Sequence, residues 1–382
     1  MGHLNRCLAY AQQLKGRVRP VFFSLASAIE MIEEMGFEAD YFVSHFWSAN
    51  ASFHWNSELT FRFGLMLERV QPKVIVFDGT WPFQGFLAAC KAHGASALVW
   101  SNRGLLKEDV MHAPVDENLF DLIIQPGELG AVKSELPLEG GGKRVTVPPV
   151  CLLESEALLD KKQARKALNL PEQGCFALFS LGPGNLKDVS GIGHGLIRLF
   201  TAAGFQVIWA RAPISVRDVE LPSGVKSVSV YPLARYLRAF DVFVGAAGYN
   251  SCCELVQSGI PALLVPNDKL ADDQVRRAQM VAELIPAVVS PCETDTQRSE
   301  AVANLLKMLA DTPAEKPEIQ MNGAALAAEE ILALLPELEG KGLPYQERKR
   351  DYLAWRYRDA VVVPAAAGLL DEENWNRLLQ ME

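Results

Sequence analysis

Short apolar runs alternate with amphipathic helical stretches along most of this chain, and the alternation starts twice. In the first half the runs are "RPVFFSL", "ADYFVS", "KVIVFDG", "ALVWS" and "FDLIIQPGE", with helical patterns such as "LNRCLAYAQQL", "SELTFRFGLMLERVQ" and "PFQGFLAACKAHG" around them. In the second half they are "CFALFS", "FQVIWAR", "VKSVSVYP", "DVFVGAAG" and "IPALLVPN", again separated by helices. Apolar strands that alternate with crossover helices form a parallel sheet covered on both faces. The expected fold is therefore α/β, with two tandem Rossmann-like, doubly wound domains. Such domains face each other across a cleft at the carboxyl ends of their strands, where open parallel sheets bind ligands.

The Gly- and Pro-rich stretch "LEGGGKRVTVPPVCLLE" interrupts the rhythm and reads as the linker. This gives a first domain over 1–149, a second over 150–338, and a helical tail of mixed charge over 339–382 that is expected to return to the first domain.

The net charge is −9, and the first 150 residues carry 13 Lys and Arg against 16 Asp and Glu. A nucleic-acid groove needs clustered cations, so nucleic acid is excluded as a partner. The seven cysteines are odd in number and contain no Cys-x-x-Cys pair, which reads as reduced thiols rather than disulfides or a zinc site. No signal peptide and no bilayer-length apolar run is evident, so a cytoplasmic protein is expected, with peripheral membrane contact left open.

Chemistry is expected at the strand-to-helix turns. "DVFVGAAGYNSCCELVQSGIPALLVPN" ends a strand in a Gly pair and opens a helix near Asn250 or Ser251, with Glu254 one turn in. Unbonded amides and the helix dipole at such a start favour a diphosphate. Ser251-x-x-Glu254 equally fits a capping box that needs no ligand. Asp273 and Gln274 open the next helix.

This constellation resembles the donor half of GT-B glycosyltransferases, in particular the family of the bacterial peptidoglycan UDP-N-acetylglucosamine transferase, glycosyltransferase family 28. The resemblance rests on Gly248, Ser251, Glu254, Gly259-Ile260-Pro261 and Gln274, and on "GHLNR" at the amino end. It implies that Glu254 binds the ribose hydroxyls and that Asp273 and Gln274 touch the donor sugar. It also implies that Val230 or Tyr231 lies against the base, and that Gly182, Gly184 and Asn185 of "SLGPGN" offer amides to the nucleotide. Gly248, Tyr249, Asn250 and Arg211 complete the expected donor side. In the family the Gly-His turn follows a first strand, so this chain is expected to begin one strand late.

The activity implied is inverting, metal-independent transfer of a sugar from a nucleotide sugar, UDP-linked and by the resemblance UDP-GlcNAc, to a hydroxyl acceptor that could be lipid-linked. No cofactor and no metal is expected, since the sequence contains no Asp-x-Asp segment. His3 is the leading candidate for the base and Asp78 the second, although a turn or capping role also fits Asp78. Arg6, Arg103 and Glu128 are expected on the acceptor side. Phe46, Trp47, Phe53 and Trp55 would hold a lipid-linked acceptor if exposed, or belong to the core. A nucleotide-sugar hydrolase and a non-catalytic nucleotide-sugar-binding subunit remain alternatives.

Overall fold

The computed structural model describes residues 2–48, 51–94, 96–102, 105, 115–181, 190–211, 221–267, 272–311 and 319–337. These fall into two compact units. One comprises Met1–Ser44, Val76–Trp81 and Val99–Leu332; the other comprises His45–Ile75, Pro82–Leu98 and the described residues from Ala333 onward.

The large unit opens with helix α1 (Gly2–Leu14). The "GHLNR" segment, read as a turn, is the first turn of this helix. Leu4, Leu8 and Ala11 line its buried side, as their spacing predicts, and Arg6 and Tyr10 are buried with them. Strand β1 (Val21–Ser24), helix α2 (Ile29–Glu34) and strand β2 (Glu38–Tyr41) follow, with β1 and β2 paired in parallel.

A five-stranded sheet has the order β3-β4-β5-β7-β6. Its strands are β3 (Val74–Asp78), β4 (Ala97–Ser101), β5 (Leu122–Pro126), β6 (Ser134–Pro137) and β7 (Lys143–Val147). The segment "LEGGGKRVTV" is not the linker that its glycines suggest. β6 and β7 form an antiparallel hairpin, closed by a hydrogen bond from Leu138 N to Gly142 O. Gly141 takes φ +87° in that turn, so the glycines serve a tight reversal rather than a flexible spacer.

After α5 (Lys161–Ala167) comes a six-stranded, all-parallel sheet of order β10-β9-β8-β11-β12-β13. Its elements are β8 (Phe176–Ser180), α6 (Ser190–Ala202), β9 (Gln206–Ala210), β10 (Lys226–Val228), β11 (Val242–Gly245), α7 (Tyr249–Ser258), β12 (Ala262–Leu264), α8 (Gln274–Ala282) and β13 (Ala287–Val289). Successive strand residues point to opposite faces. Phe176, Leu178, Phe243 and Leu264 therefore pack with α7 and α8 residues such as Cys253, Val256 and Val281. Ala177, Phe179, Val244 and Leu263 pack with Leu196 and Phe200 of α6 and with Val302 and Leu305 of α9 (Asp295–Asp311). Each such fully buried Leu or Phe contributes about 1.5–3 kcal/mol. The seven cysteines are free thiols.

The strand order reverses between β8 and β11. A crevice opens at such a switch point, beyond the carboxyl ends of the strands. The turn after β11 leads directly into α7, so this topology puts the start of α7 at the switch point. The last helix among the described residues, α10 (Gly323–Glu337), is tied to earlier elements by Glu330, which pairs with Lys133 and, at 2.6 Å, with Lys143.

In the second unit, α3 (Ser52–Val70) packs on α4 (Gln84–His93). The Asn56 carboxamide accepts from Gly85 N at 2.9 Å. A β-carbon at Gly85 would lie 2.3 Å from Asn56 O, so glycine permits this close approach.

Candidate active site

One helical turn separates His3 from Arg6, and both side chains reach the carboxylate at the end of β3. His3 Nδ1 lies 2.6 Å from Asp78 Oδ1. Arg6 donates from Nε to Oδ2 at 2.9 Å and from Nη2 to Oδ1 at 2.6 Å. Ser101, at the end of β4, donates its hydroxyl to Oδ2 at 2.7 Å. Each carboxylate oxygen thus has two partners. Asp78 and Arg6 are buried, at 0% and 1% side-chain exposure, whereas His3 is 53% exposed.

Electrostatics follows the geometry. Burial alone would raise the carboxyl of Asp78, but the charge of Arg6 and the hydrogen bond from His3 outweigh it and hold the group below the ordinary carboxylate range. Burial would likewise weaken the guanidinium of Arg6, yet Asp78 raises it further. Asp78 therefore stays ionised. A 2.6 Å approach to a carboxylate oxygen requires the proton on His3 Nδ1, so in the neutral imidazole Nε2 is the lone-pair acceptor. Arg6 Nη2, also 3.0 Å from Nδ1, cannot donate to a nitrogen that carries a proton. The sequence offered His3 and Asp78 as rival bases; the structure brings them together as one dyad, with the exposed imidazole held by a buried anion.

The other candidate surface is the start of α7. Its N-cap is Gly248, and no side chain caps the first turn. The Ser251–Glu254 capping box is therefore not formed, because Ser251 lies inside the helix. Cys252 N is the first α7 amide with a backbone acceptor, Gly248 O at 3.0 Å. Space beside Gly248 is open. The buried Asn250 Oδ1 takes no hydrogen bond among the described residues. Glu254 is half-buried, and burial pushes its carboxyl up to about 8. Tyr231 is close enough for that carboxylate to raise its phenol, after burial as the larger cause. The Tyr231 hydroxyl donates to Asn5 Oδ1 of α1 at 2.8 Å.

Tyr249, the first residue of α7, links these surfaces. The Arg6 and Arg277 guanidiniums lie 5.5 Å and 5.8 Å from its ring centroid. Its hydroxyl donates to Gly127 O and accepts from Val150 N, both at 3.0 Å. Arg277 in turn forks onto Glu128 and reaches Asp272 Oδ1 at 2.9 Å. Arg6 and Glu128, expected on the acceptor side, are thus committed to buried ion pairs. Asp273 caps α8 by accepting from Arg276 N at 3.0 Å. Gln274 is buried and uses its carboxamide on Asn267 N at 2.9 Å and on Asp272. Arg211 follows β9, with its backbone N–H on Val228 O, and Val230 lies two residues beyond β10. Gly182, Gly184, Asn185 and Arg103 lie outside the described residues. Of the four aromatics, Trp55 is core, Phe53 is half-buried, and Phe46 and Trp47 are 82% and 63% exposed. Sequence reasoning passed over Asn5, Tyr10, Ser101 and Arg277. Arg277, four residues after Asp273, carried a helical-spacing signal, but its partner Glu128 is distant in sequence.

Residues 209–331 match the glycosyltransferase family 28 C-terminal domain. The UDP-N-acetylglucosamine--N-acetylmuramyl-(pentapeptide) pyrophosphoryl-undecaprenol N-acetylglucosamine transferase of Caulobacter vibrioides is 28% identical over 269 residues, covering 68% of this chain and 71% of that protein. Among solved structures, Acinetobacter baumannii MurG superposes with a TM-score of 0.52 at 12% identity, covering 87% of this chain and 96% of its own. S. aureus MnaA, in a UDP co-structure, gives 0.59 at 10% identity, covering 90% and 96%. Fold and matched domain together define the class: this chain is a glycosyltransferase of the GT-B fold. Within that class its resemblance is to family 28 and the peptidoglycan N-acetylglucosamine transferases.

Proposed function

We propose that the protein moves a sugar from a nucleotide sugar to a hydroxyl acceptor by a single inverting displacement. The observation that carries this is the half-exposed His3 held 2.6 Å from the buried, ionised Asp78. His3 Nε2 takes the proton of the acceptor hydroxyl as the acceptor oxygen attacks the anomeric carbon. The bond from that carbon to the diphosphate breaks, and the nucleoside diphosphate leaves with the electron pair. Asp78 stabilises the imidazolium that forms. The uncapped start of α7 supports a helix-dipole site for the departing diphosphate, which fits metal-independent transfer. Glu254 would accept from the ribose hydroxyls. We propose a UDP-linked donor, UDP-GlcNAc in the first instance, because this is the donor that the name of the Caulobacter relative states.

The same likeness supports a lipid-linked acceptor met at the cytoplasmic membrane face, and the exposed Phe46 and Trp47 suit an apolar partner. Among the described residues no helix is long and apolar enough to cross a membrane. We propose the division at 149/150 as the donor–acceptor boundary; the helical tail expected over 339–382 lies outside the described residues.

The test is a thermal-shift screen over UDP-, GDP-, CDP- and dTDP-sugars, followed by product analysis with and without acceptor. Binding stabilises by mass action, so a UDP-sugar should raise the melting temperature. Acceptor-dependent UDP release with inverted product supports transfer. Fast stoichiometric release of free sugar from donor alone would replace transfer by hydrolysis, and binding without turnover would leave a binding subunit.

A further inference from the structure

Behind the dyad lies a second pair of hydroxyls that the proposed reaction does not use directly. Tyr10 OH is 3.0 Å from Ser101 Oγ, and both residues are buried, at 2% and 0% exposure. Ser101 has one hydroxyl proton, and the 2.7 Å contact to Asp78 Oδ2 takes it, because an ionised carboxylate can only accept. Ser101 can then only accept from Tyr10. The order of protons is therefore set: Tyr10 donates to Ser101, Ser101 to Asp78, and His3 Nδ1 to the other oxygen of Asp78. Tyr10 keeps its proton throughout, since burial and the nearby Asp78 charge both raise its phenol. The relay joins α1, β3 and β4 at the point where the base is held.

We infer that Tyr10 and Ser101 are positioning residues that set the orientation and proton affinity of the base His3 through Asp78. The inference rests on the reading of His3 as base, and it commits to a direction. Each hydrogen bond donated to Asp78 spreads its negative charge and lowers its pull on the imidazole proton. The groups facing the relay are His3, Arg6 and Cys7 of α1, Asp78 of β3, Ser101 of β4 and, across Arg6, Tyr249 of α7. Arg6 stays cationic and the Cys7 thiol is raised by burial, so neither changes charge near neutrality. Removing the Ser101 hydroxyl leaves Asp78 with one donor fewer and concentrates its charge toward His3. Removing the Tyr10 hydroxyl weakens Ser101 as a donor and acts in the same direction, more gently.

The experiment compares Tyr10→Phe and Ser101→Ala with the unsubstituted protein in two measurements. The first follows the six histidines by NMR across pH, with the His3 signal assigned through its loss in His3→Gln. The second measures UDP release from UDP-GlcNAc against pH. The His3 titration midpoint should move upward by about half a pH unit in Ser101→Ala and by less in Tyr10→Phe, since a neutral hydrogen bond is a modest net effect. The acid limb of the rate profile should move with it, with kcat on that limb down by up to about threefold, less near neutrality, and KM for the donor unchanged. A purely structural role would lower stability and leave both midpoints in place, and that result overturns the inference. Should Ser101→Ala fail to fold, Tyr10→Phe decides alone, because it keeps the buried ring. If no variant and no unsubstituted protein turns over a nucleotide sugar, the transfer reading falls, while the NMR midpoints still decide the relay.

Discussion

Arg277 and Glu128 meet in a two-pronged ion pair, with Nε and Nη2 each 2.8 Å from a carboxylate oxygen. Arg277 is 0% exposed and Glu128 13%, and Asp272 adds a second carboxylate at 2.9 Å. Breaking a buried pair by removing one partner costs about 3–5 kcal/mol, because the remaining charges stay buried and unpaired. Arg277→Met should therefore destabilise the fold by about that amount. Denaturant unfolding checks this, and a loss below about 1 kcal/mol would show the pair to be a surface-type contact.

The dyad predicts a split between activity and stability. His3 is half exposed, so His3→Gln should leave stability within about 0.5 kcal/mol while lowering turnover by about 10²- to 10⁴-fold. Asp78→Asn should lower both, since it leaves the buried Arg6 without its anion. The carboxyl of Asp78 is held low in the folded state. Its contribution to stability is present above the ordinary aspartate value and fades as the pH falls toward the folded value. Asp78→Asn should flatten that acid limb in pH-dependent unfolding; an unchanged limb would contradict the assignment.

Glu254 separates binding from folding. With no capping role, Glu254→Gln should fold with near-normal stability and, compared above pH 8, bind a UDP-sugar at least about tenfold more weakly, the size of a lost charge-assisted hydrogen bond. Burial raises the carboxyl of Glu254 to about 8, so the folded protein holds that proton where the unfolded chain has released it. Stability from this group is complete below the ordinary glutamate value and declines as the pH rises through about 8. Donor affinity should change the opposite way, rising with pH to a plateau above about 8, because in the proposed site the carboxylate is the form that would accept charge-assisted hydrogen bonds from ribose. Calorimetric titrations across that range check it, and a flat profile equal to that of Glu254→Gln would return the residue to a structural role.

Chelation should leave the rate unchanged. In the proposed reaction the uncapped start of α7 would meet the diphosphate with amides and a dipole, and the sequence has no Asp-x-Asp segment. Complete loss with a chelator, restored by Mg²⁺ or Mn²⁺, would make the leaving group metal-bound.

Much of this architecture is written in local patterns. The alternation of β8 to β13 with their helices follows from periodicity, as does the buried Leu4–Leu8–Ala11 side of α1. The Gly turn before α7 was also legible, since β11 must turn there. Gly-rich composition misled once: "LEGGGK" looks the same whether it links domains or closes the β6–β7 hairpin. Capping at α7 was undecidable from sequence, because a helix capped at Gly248, three residues earlier, makes Ser251 an interior residue.

Outside the β6–β7 hairpin, the chain by itself determined which segments become strands and helices, and so that the second half is a doubly wound sheet with a helix start at its switch point. Those properties depend on neighbours within a few residues, through side-chain periodicity and turn chemistry. The tertiary structure alone decided that His3 and Asp78, 75 residues apart, form one dyad, and that Arg277 answers Glu128 across 149 residues. Such partnerships arise from strand order and helix packing, which bring the ends of β3 and β4 beneath α1. A buried charge is then stable only where the fold delivers its counter-charge and hydrogen-bond donors together.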